Sequence, residues 1–167
     1  PLLEPLWGKI PCVELLVICR HGEGGESSFT SQIDYEDFIA DHPAAYDWPD
    51  IPETAPMGLC YTSGTTGNPK GVMYTNRSTY LHTLTESLTD SMGLSALDSL
   101  LGIVPMFHAM GWGLPFAASM LGTKQVYPHR FMTPDSFLSL MQQEQVTISA
   151  GVPTIWQGVR ATLEANP

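Results

Sequence analysis

Residues 61–72 read YTSGTTGNPKGV, a stretch with three glycines, four small hydroxyl side chains, one lysine and no acid. Gly64 and Gly67 permit close approach and positive φ. A loop of this kind can turn successive backbone N–H groups into one concavity, which is an anion nest. The hydroxyls of Ser63, Thr65 and Thr66 can donate to phosphate oxygens or ligate Mg²⁺. Lys70 supplies the compensating charge, and Pro69 restricts the segment that carries it. The chemistry implied is the holding of a phosphate chain and its cation. The order is not that of a Walker loop, because Lys70 precedes Gly71 rather than following the final glycine. A solvated turn draws on the same residue types, but the whole string directly after the apolar MGLC favours an anion site.

Charge distribution agrees with a small anion and disfavours a polyanion. The 167-residue chain has a formal net charge of −10, and 11 of its 17 acidic residues lie before Thr54. Residues 54–85 contain no carboxylate but include Lys70 and Arg77, and residues 99–134 are again free of acids. Nucleic acid is therefore not an expected partner. A second group with chemical potential is PMFHAMGW, with His108 and Trp112. Taken singly, these residues are as readily a satisfied histidine and a packed indole. His21, His42, His82 and His129 lack ligand-like spacing, and Cys12, Cys19 and Cys60 form no C-x-x-C pair, so zinc is not expected. Reduced thiols and a cytoplasmic setting are the expectation.

The elements that must carry these groups alternate. KIPCVELLVICR reads as a buried strand, IDYEDFIADHP as a short helix, and MGLCYT as the strand that enters the loop. Thr75 is a suitable N-cap, with Tyr80, Leu84, Leu88 and Met92 marking one apolar face of the following helix. SLLGIVPM reads as a strand, AMGWGLPFAASMLG as a helix ended by Gly122, and KQVYP as a short strand. Thr133-Pro134 is a helix start, with Phe137, Leu138 and Met141 facing inward. VTISAG and VPTIWQGVRATLEAN complete the series as strand and helix. The fold class expected is α/β, a largely parallel sheet covered by helices. No apolar run is long enough to cross a bilayer, and no secretory leader is recognisable.

The string YTSGTTGNPKGV resembles the phosphate-loop signature of the adenylate-forming, AMP-binding superfamily. VPMFHAMGWGLPFAASMLGTKQVYP and SAGVPTIW are similar to the family's next two motifs, so the resemblance spans at least Leu59 to Trp156. It is nearest to fatty-acyl-CoA synthetases of medium- or long-chain type, through Phe107-His108 and Trp112. One departure is Asn76, where relatives often carry histidine; an asparagine still offers a polar contact at the helix start. The resemblance implies that residues 1–167 are part of a large N-terminal domain, with an upstream part and a C-terminal lid domain elsewhere in the parent.

The implied activity activates a carboxylic acid with ATP as acyl-AMP, releases pyrophosphate, and transfers the acyl group to CoA. On that reading Thr62, Ser63, Gly64, Thr65, Thr66, Gly67 and Lys70 contact the ATP phosphates. Thr65 is the Mg²⁺ contact, Lys70 is catalytic in assisting the leaving charge, and His108 and Trp112 bind the acyl substrate. Val152, Pro153 and Thr154 fit a pocket wall or simply a helix start. The partners implied are the acid, ATP and CoA; peripheral membrane association and oligomeric state stay open. The alternatives are a phosphate-binding module of an unrelated nucleotide enzyme and a catalytically dead relative that acts by interaction.

Overall fold

A computed structural model describes residues 4–20, 29, 31–62 and 67–165. The chain divides into two units, residues 1–49 and 50–167. In the first, α1 (Glu4–Trp7) is followed by β1 (Leu16–Ile18), β2 (Gln32–Asp34) and α2 (Tyr35–Ala40). β1 and β2 pair in parallel, Leu16 opposite Gln32 and Ile18 opposite Asp34. The strand expected over KIPCVELLVICR is thus only three residues long, and it is half-buried rather than buried. A turn closed by the Val13 N–H on the Ile10 carbonyl, at 3.0 Å, takes up the start of that apolar run. The helix expected over IDYEDFIADHP starts two residues late: Ile33 and Asp34 belong to β2, Asp34 being extended at φ −70° and ψ 145°, and α2 begins at Tyr35.

The second unit begins with a hairpin. β3 (Pro56–Thr62) pairs antiparallel with β4 (Lys70–Thr75), in register Cys60 to Val72 and Thr62 to Lys70. The sequence reading has no strand at β4, because KGVMYT follows a proline and a glycine and alternates poorly. Its pairing with β3 overrides that weak local pattern. Thr75 then caps α3 (Asn76–Glu86) as expected, in a capping box with Ser78.

α3 differs from expectation in the face it buries. It ends at Glu86, before Leu88 and Met92, and Tyr80, Leu84 and Leu88 are exposed. Thr83 and Glu86 are the buried residues instead. The Thr83 hydroxyl donates to the Thr79 carbonyl at 2.8 Å, so this polar side chain is satisfied within its own helix and can pack inward.

A three-stranded parallel sheet forms the centre, in the order β6 (Lys124–Val126), β5 (Ser99–Gly102), β7 (Ile148–Ala150). Neighbouring side chains on β5 point to opposite faces. Leu100 packs with Leu94 and with Leu114, Ala117 and Ala118 of α4 (Leu114–Leu121). Leu101, with Ile103 and Val126, packs against Phe137 of α5 (Pro134–Gln143) and Val159 of α6 (Pro153–Ala165). Leu138 and Met141 join that second core as the sequence pattern predicts. The fold is α/β, with two parallel sheets and one antiparallel hairpin among the described residues.

Entry to β5 is pinned by Asp98. Its Oδ2 accepts from the Ser95 hydroxyl at 2.7 Å and the Ser95 N–H at 2.9 Å, and its Oδ1 accepts from Thr147 Oγ1 at 2.8 Å. Thr147 Oγ1 in turn accepts from the Ser99 N–H at 3.0 Å, joining the starts of β5 and β7. The hydrogen bonds from Ser95 and then Thr147 hold the Asp98 carboxyl below the usual aspartate range. Asp98→Ala is expected to lower folding stability by about 2 kcal/mol through loss of these charge-assisted bonds. A depressed carboxyl stabilises above its unfolded pKa and loses that contribution as pH falls through the folded value. The gap between wild type and variant in denaturant unfolding should therefore be full at neutral pH and shrink below about pH 4.

Candidate active site

Two features of the second unit carry chemical potential. The first is the hairpin connection, residues 63–69, between β3 and β4. Ser63, Gly64, Thr65 and Thr66, including the expected Mg²⁺ contact, lie outside the described residues. The frame around them is described. Thr62 and Lys70 face each other across the hairpin, and the Thr62 hydroxyl reaches the Lys70 carbonyl at 3.5 Å. Gly67 has φ +90°, and among the described residues, its chain neighbours aside, no atom lies within 4 Å of where a Cβ would stand. Its requirement for glycine is therefore conformational rather than steric. The exposed Lys70 forms no ion pair among the described residues, so its charge is available to an anion. Arg77, beyond the other end of β4, is engaged with the Glu53 carboxylate, which it holds below the ordinary glutamate range through that hydrogen bond.

The second feature is an apolar cavity of about 400 Å³. Tyr74 at the end of β4 and Ser78, Thr79 and His82 of α3 form one wall; Ala109, Met110, Trp112, Gly113 and Phe116 form the other. That second wall hangs from the carboxyl end of β5. The sheet order β6-β5-β7 reverses at β5, and ligands of open α/β sheets collect at the carboxyl ends of strands beside such a reversal.

The wall-forming segment has an unusual backbone. Ala109, Met110, Gly111, Trp112 and Gly113 all have positive φ, between 46° and 79°. The sequence predicts that AMGWG opens an ordinary helix. It is a left-handed turn instead, and α4 begins only at Leu114. Three of its residues carry side chains, each costing about 1–2 kcal/mol in this region. Packing holds them there. Gly58 of β3 leaves room for Met110, whose Cε and Sδ would stand 2.7 and 2.9 Å from a Cβ. Gly113 lies so close to α3 that its Cβ would meet His82 Nδ1 at 2.4 Å and Glu86 Oε2 at 3.1 Å.

Behind His82 stands a buried carboxylate. Glu86 is 6% exposed, and its Oε2 lies 3.5 Å from His82 Nδ1 without a hydrogen-bond partner. Burial raises its pKa above the ordinary glutamate value, and attraction to His82 acts the other way. The left-handed turn and α4 contain no ionisable side chain, and β4 brings Tyr74 to the cavity wall.

Of the residues singled out in sequence, Trp112 lies in the cavity wall and is half-buried. His108 is exposed and precedes the turn, its carbonyl accepting from the Gly111 N–H at 3.0 Å, and it is not part of the wall. Val152, Pro153 and Thr154 do not line the cavity, and Pro153 starts α6, so helix initiation accounts for them. His82, Glu86 and Met110 escape the sequence reading. The spacing of His82 and Glu86, one helical turn apart, is the signal that would have paired them.

The chain belongs to the AMP-binding enzyme family, whose sequence pattern matches residues 11–167. It is 42% identical over 167 residues to a medium-chain-fatty-acid–CoA ligase of Ectopseudomonas oleovorans, a match covering 99% of this chain and 31% of that protein. A 3-methylmercaptopropionyl-CoA ligase of Ruegeria pomeroyi is also 42% identical, again across 99% of this chain and 31% of its own length. Among solved structures, an O-succinylbenzoate coenzyme A synthetase from Bacillus subtilis, in complex with ATP and magnesium ion, superposes with a TM-score of 0.62. It is 28% identical, and the match covers 81% of this chain and 27% of that one. The chain thus spans about a third of the length of the curated relatives it matches.

A buried carboxyl with a raised pKa stabilises the fold while protonated and loses that contribution as pH rises through its folded value. Glu86→Gln keeps the shape in a neutral form at every pH. Its thermal unfolding midpoint should exceed that of wild type at pH 8, by about 2–4 °C, and the advantage should vanish near pH 4. Equal midpoints across that range would mean that Glu86 is not desolvated in solution.

Proposed function

We propose that the full-length protein is an AMP-forming acyl-CoA synthetase that activates an aliphatic carboxylic acid with ATP and passes the acyl group to CoA. The observation that carries this reading is the placement of Trp112 and an apolar cavity beside the reversal of the sheet, in a chain of the AMP-binding family. The CoA-ligase names of its 42% identical relatives support it. Residues 1–167 are read as part of the large N-terminal domain of that enzyme, and the reaction is completed by the rest of the parent protein.

The chemistry has two balanced steps. The acid's carboxylate attacks the α-phosphorus of ATP, giving acyl-AMP and pyrophosphate; the CoA thiol then attacks the acyl carbon, forming the thioester and releasing AMP. Thr62, Gly67 and Lys70, with Ser63, Gly64, Thr65 and Thr66, are read as the residues that hold the triphosphate, and Thr65 as the Mg²⁺ contact. The open, left-handed Gly67 and the unengaged Lys70 amine fit an anion there. Mg²⁺ supplies charge neutralisation of the phosphates when bound. A fixed ammonium aimed at the departing pyrophosphate acts mainly in the transition state. His108, which precedes the turn in sequence, is read as meeting the polar end of the acid, and Trp112 as lining the alkyl chain.

Lys70→Ala in the full-length enzyme is expected to lower kcat for acyl-AMP formation by about 10²-fold, with ATP KM changed less than about threefold. A large rise in KM at constant kcat would make Lys70 a ground-state binder only. Gly67→Val should impair pyrophosphate exchange far more than it lowers the unfolding midpoint.

Substrate class is tested by CoA-thioester formation from acetate, octanoate, palmitate, benzoate, 3-methylmercaptopropionate and a panel of amino acids. Aliphatic acids of medium or greater length should be preferred, and Trp112→Ala should alter the chain-length preference while leaving the ATP KM within about twofold. Preference for an amino acid, or adenylation without transfer to CoA, would overturn the proposal. Preference for 3-methylmercaptopropionate would move the substrate to a short thioether acid while keeping the reaction.

A further inference from the structure

We propose that His82 and Glu86 are positioning residues for the acyl site, seating the left-handed turn and so fixing where Trp112 stands on the cavity wall. The inference rests on the acyl-site reading of that cavity. Its starting point is a buried group that the proposed chemistry does not use. Glu86 faces inward from α3 with one carboxylate oxygen unpartnered, and burying such a group is unfavourable unless something is gained. An apolar side chain at this helical position would fill similar volume without the desolvation penalty.

What the carboxylate gains is control of a neighbour. The His82 side chain is 55% exposed and forms part of the cavity wall, so packing alone leaves its ring free to turn. Glu86 Oε2 approaches Nδ1 to 3.5 Å, an electrostatic contact rather than a hydrogen bond, and this attraction is what orients the ring. The oriented ring lies flush against Gly113, where a Cβ would stand 2.4 Å from Nδ1 and 2.7 Å from Cε1. Gly113 directly follows Trp112. On the opposite flank Met110 is lodged against Gly58. The turn is therefore gripped at both ends, by β3 through Met110 and by α3 through the His82–Glu86 pair. Its own residues, with side chains at three left-handed positions, would not choose this conformation locally. If the α3 grip loosens, the indole is the group displaced, because it sits between the two contacts.

The test uses the full-length enzyme with the acid that wild type converts fastest, together with thermal unfolding midpoints. His82→Ala and Glu86→Ala should each raise the acid KM by about tenfold, with kcat and ATP KM within about twofold. Glu86→Gln, which keeps the shape and a dipole at that position but not the charge, should recover the acid KM in part, to a value between those of Glu86→Ala and wild type. Gly113→Ala should be impaired, and the double variant Gly113→Ala/His82→Ala should lose less than the two singles combined, in KM and in midpoint, because removing the imidazole relieves the clash. An unchanged acid KM in folded His82→Ala, equal movement of the ATP KM, or strictly additive midpoints would overturn the positioning role. Midpoints need no turnover, so coupling between positions 82 and 113 with no thioester from any acid would instead overturn the acyl-CoA reading on which the role depends.

Discussion

Burial of β5 on both faces is the constraint from which the rest of the second unit follows. Leu100 and Leu101 are 1% and 0% exposed, and they point to opposite sides of the sheet. A strand this short can be buried twice over only if helices cover each face, so α4 is drawn to one side and α5 and α6 to the other. Covering both faces with sequential helices places β6 and β7 on either edge of β5. The order reverses there, and a crevice opens at the strand's carboxyl end. The segment leaving that end, from Ile103 to Gly113, is delivered to the crevice by topology alone.

How that segment then behaves is decided by its neighbours. Five consecutive positive φ values are unfavourable for Ala109, Met110 and Trp112, and such strain persists only where the surroundings over-determine it. The surroundings are specific: a missing Cβ at Gly58 that admits Met110, and a missing Cβ at Gly113 that admits His82 and Glu86. Two glycines far apart in sequence thus hold one turn. The same turn raises the indole of Trp112 into the wall opposite α3, and this gives the cavity its shape. His82 on the cavity wall and the buried Glu86 beside it form a polar pair that hydrophobic patterning does not explain.

The hairpin of β3 and β4 serves a separate need. A loop proposed to hold phosphate needs its ends at a fixed separation. The Thr62–Lys70 pairing closes it with backbone hydrogen bonds rather than with a helix start. That places the Lys70 side chain at the root of the loop, on a strand, which is a more rigid mount than the loop itself. The acid-free composition around it leaves the ammonium without a competing carboxylate close in sequence.

By itself the sequence determined the features that depend on local chemistry. The caps at Thr75 and Thr133, the C-terminal glycine at Gly122 and the inward Phe137 are all legible, because each rests on residues within a turn of one another. The motif strings likewise identify the family, since they are contiguous. Tertiary structure alone decided that KGVMYT is a strand, because its stabilisation comes from β3. It turned α3 so that Thr83 and Glu86 go inside while Tyr80 and Leu84 stay out, against the apolar pattern. It also wound AMGWG left-handed, and it brought His82 against Gly113. The reason is common to all of these. They are set by contacts between separate segments, from the β3–β4 pairing of residues 8 to 19 apart to the packing of Met110 on Gly58 and of His82 on Gly113, and a local pattern does not weigh both partners.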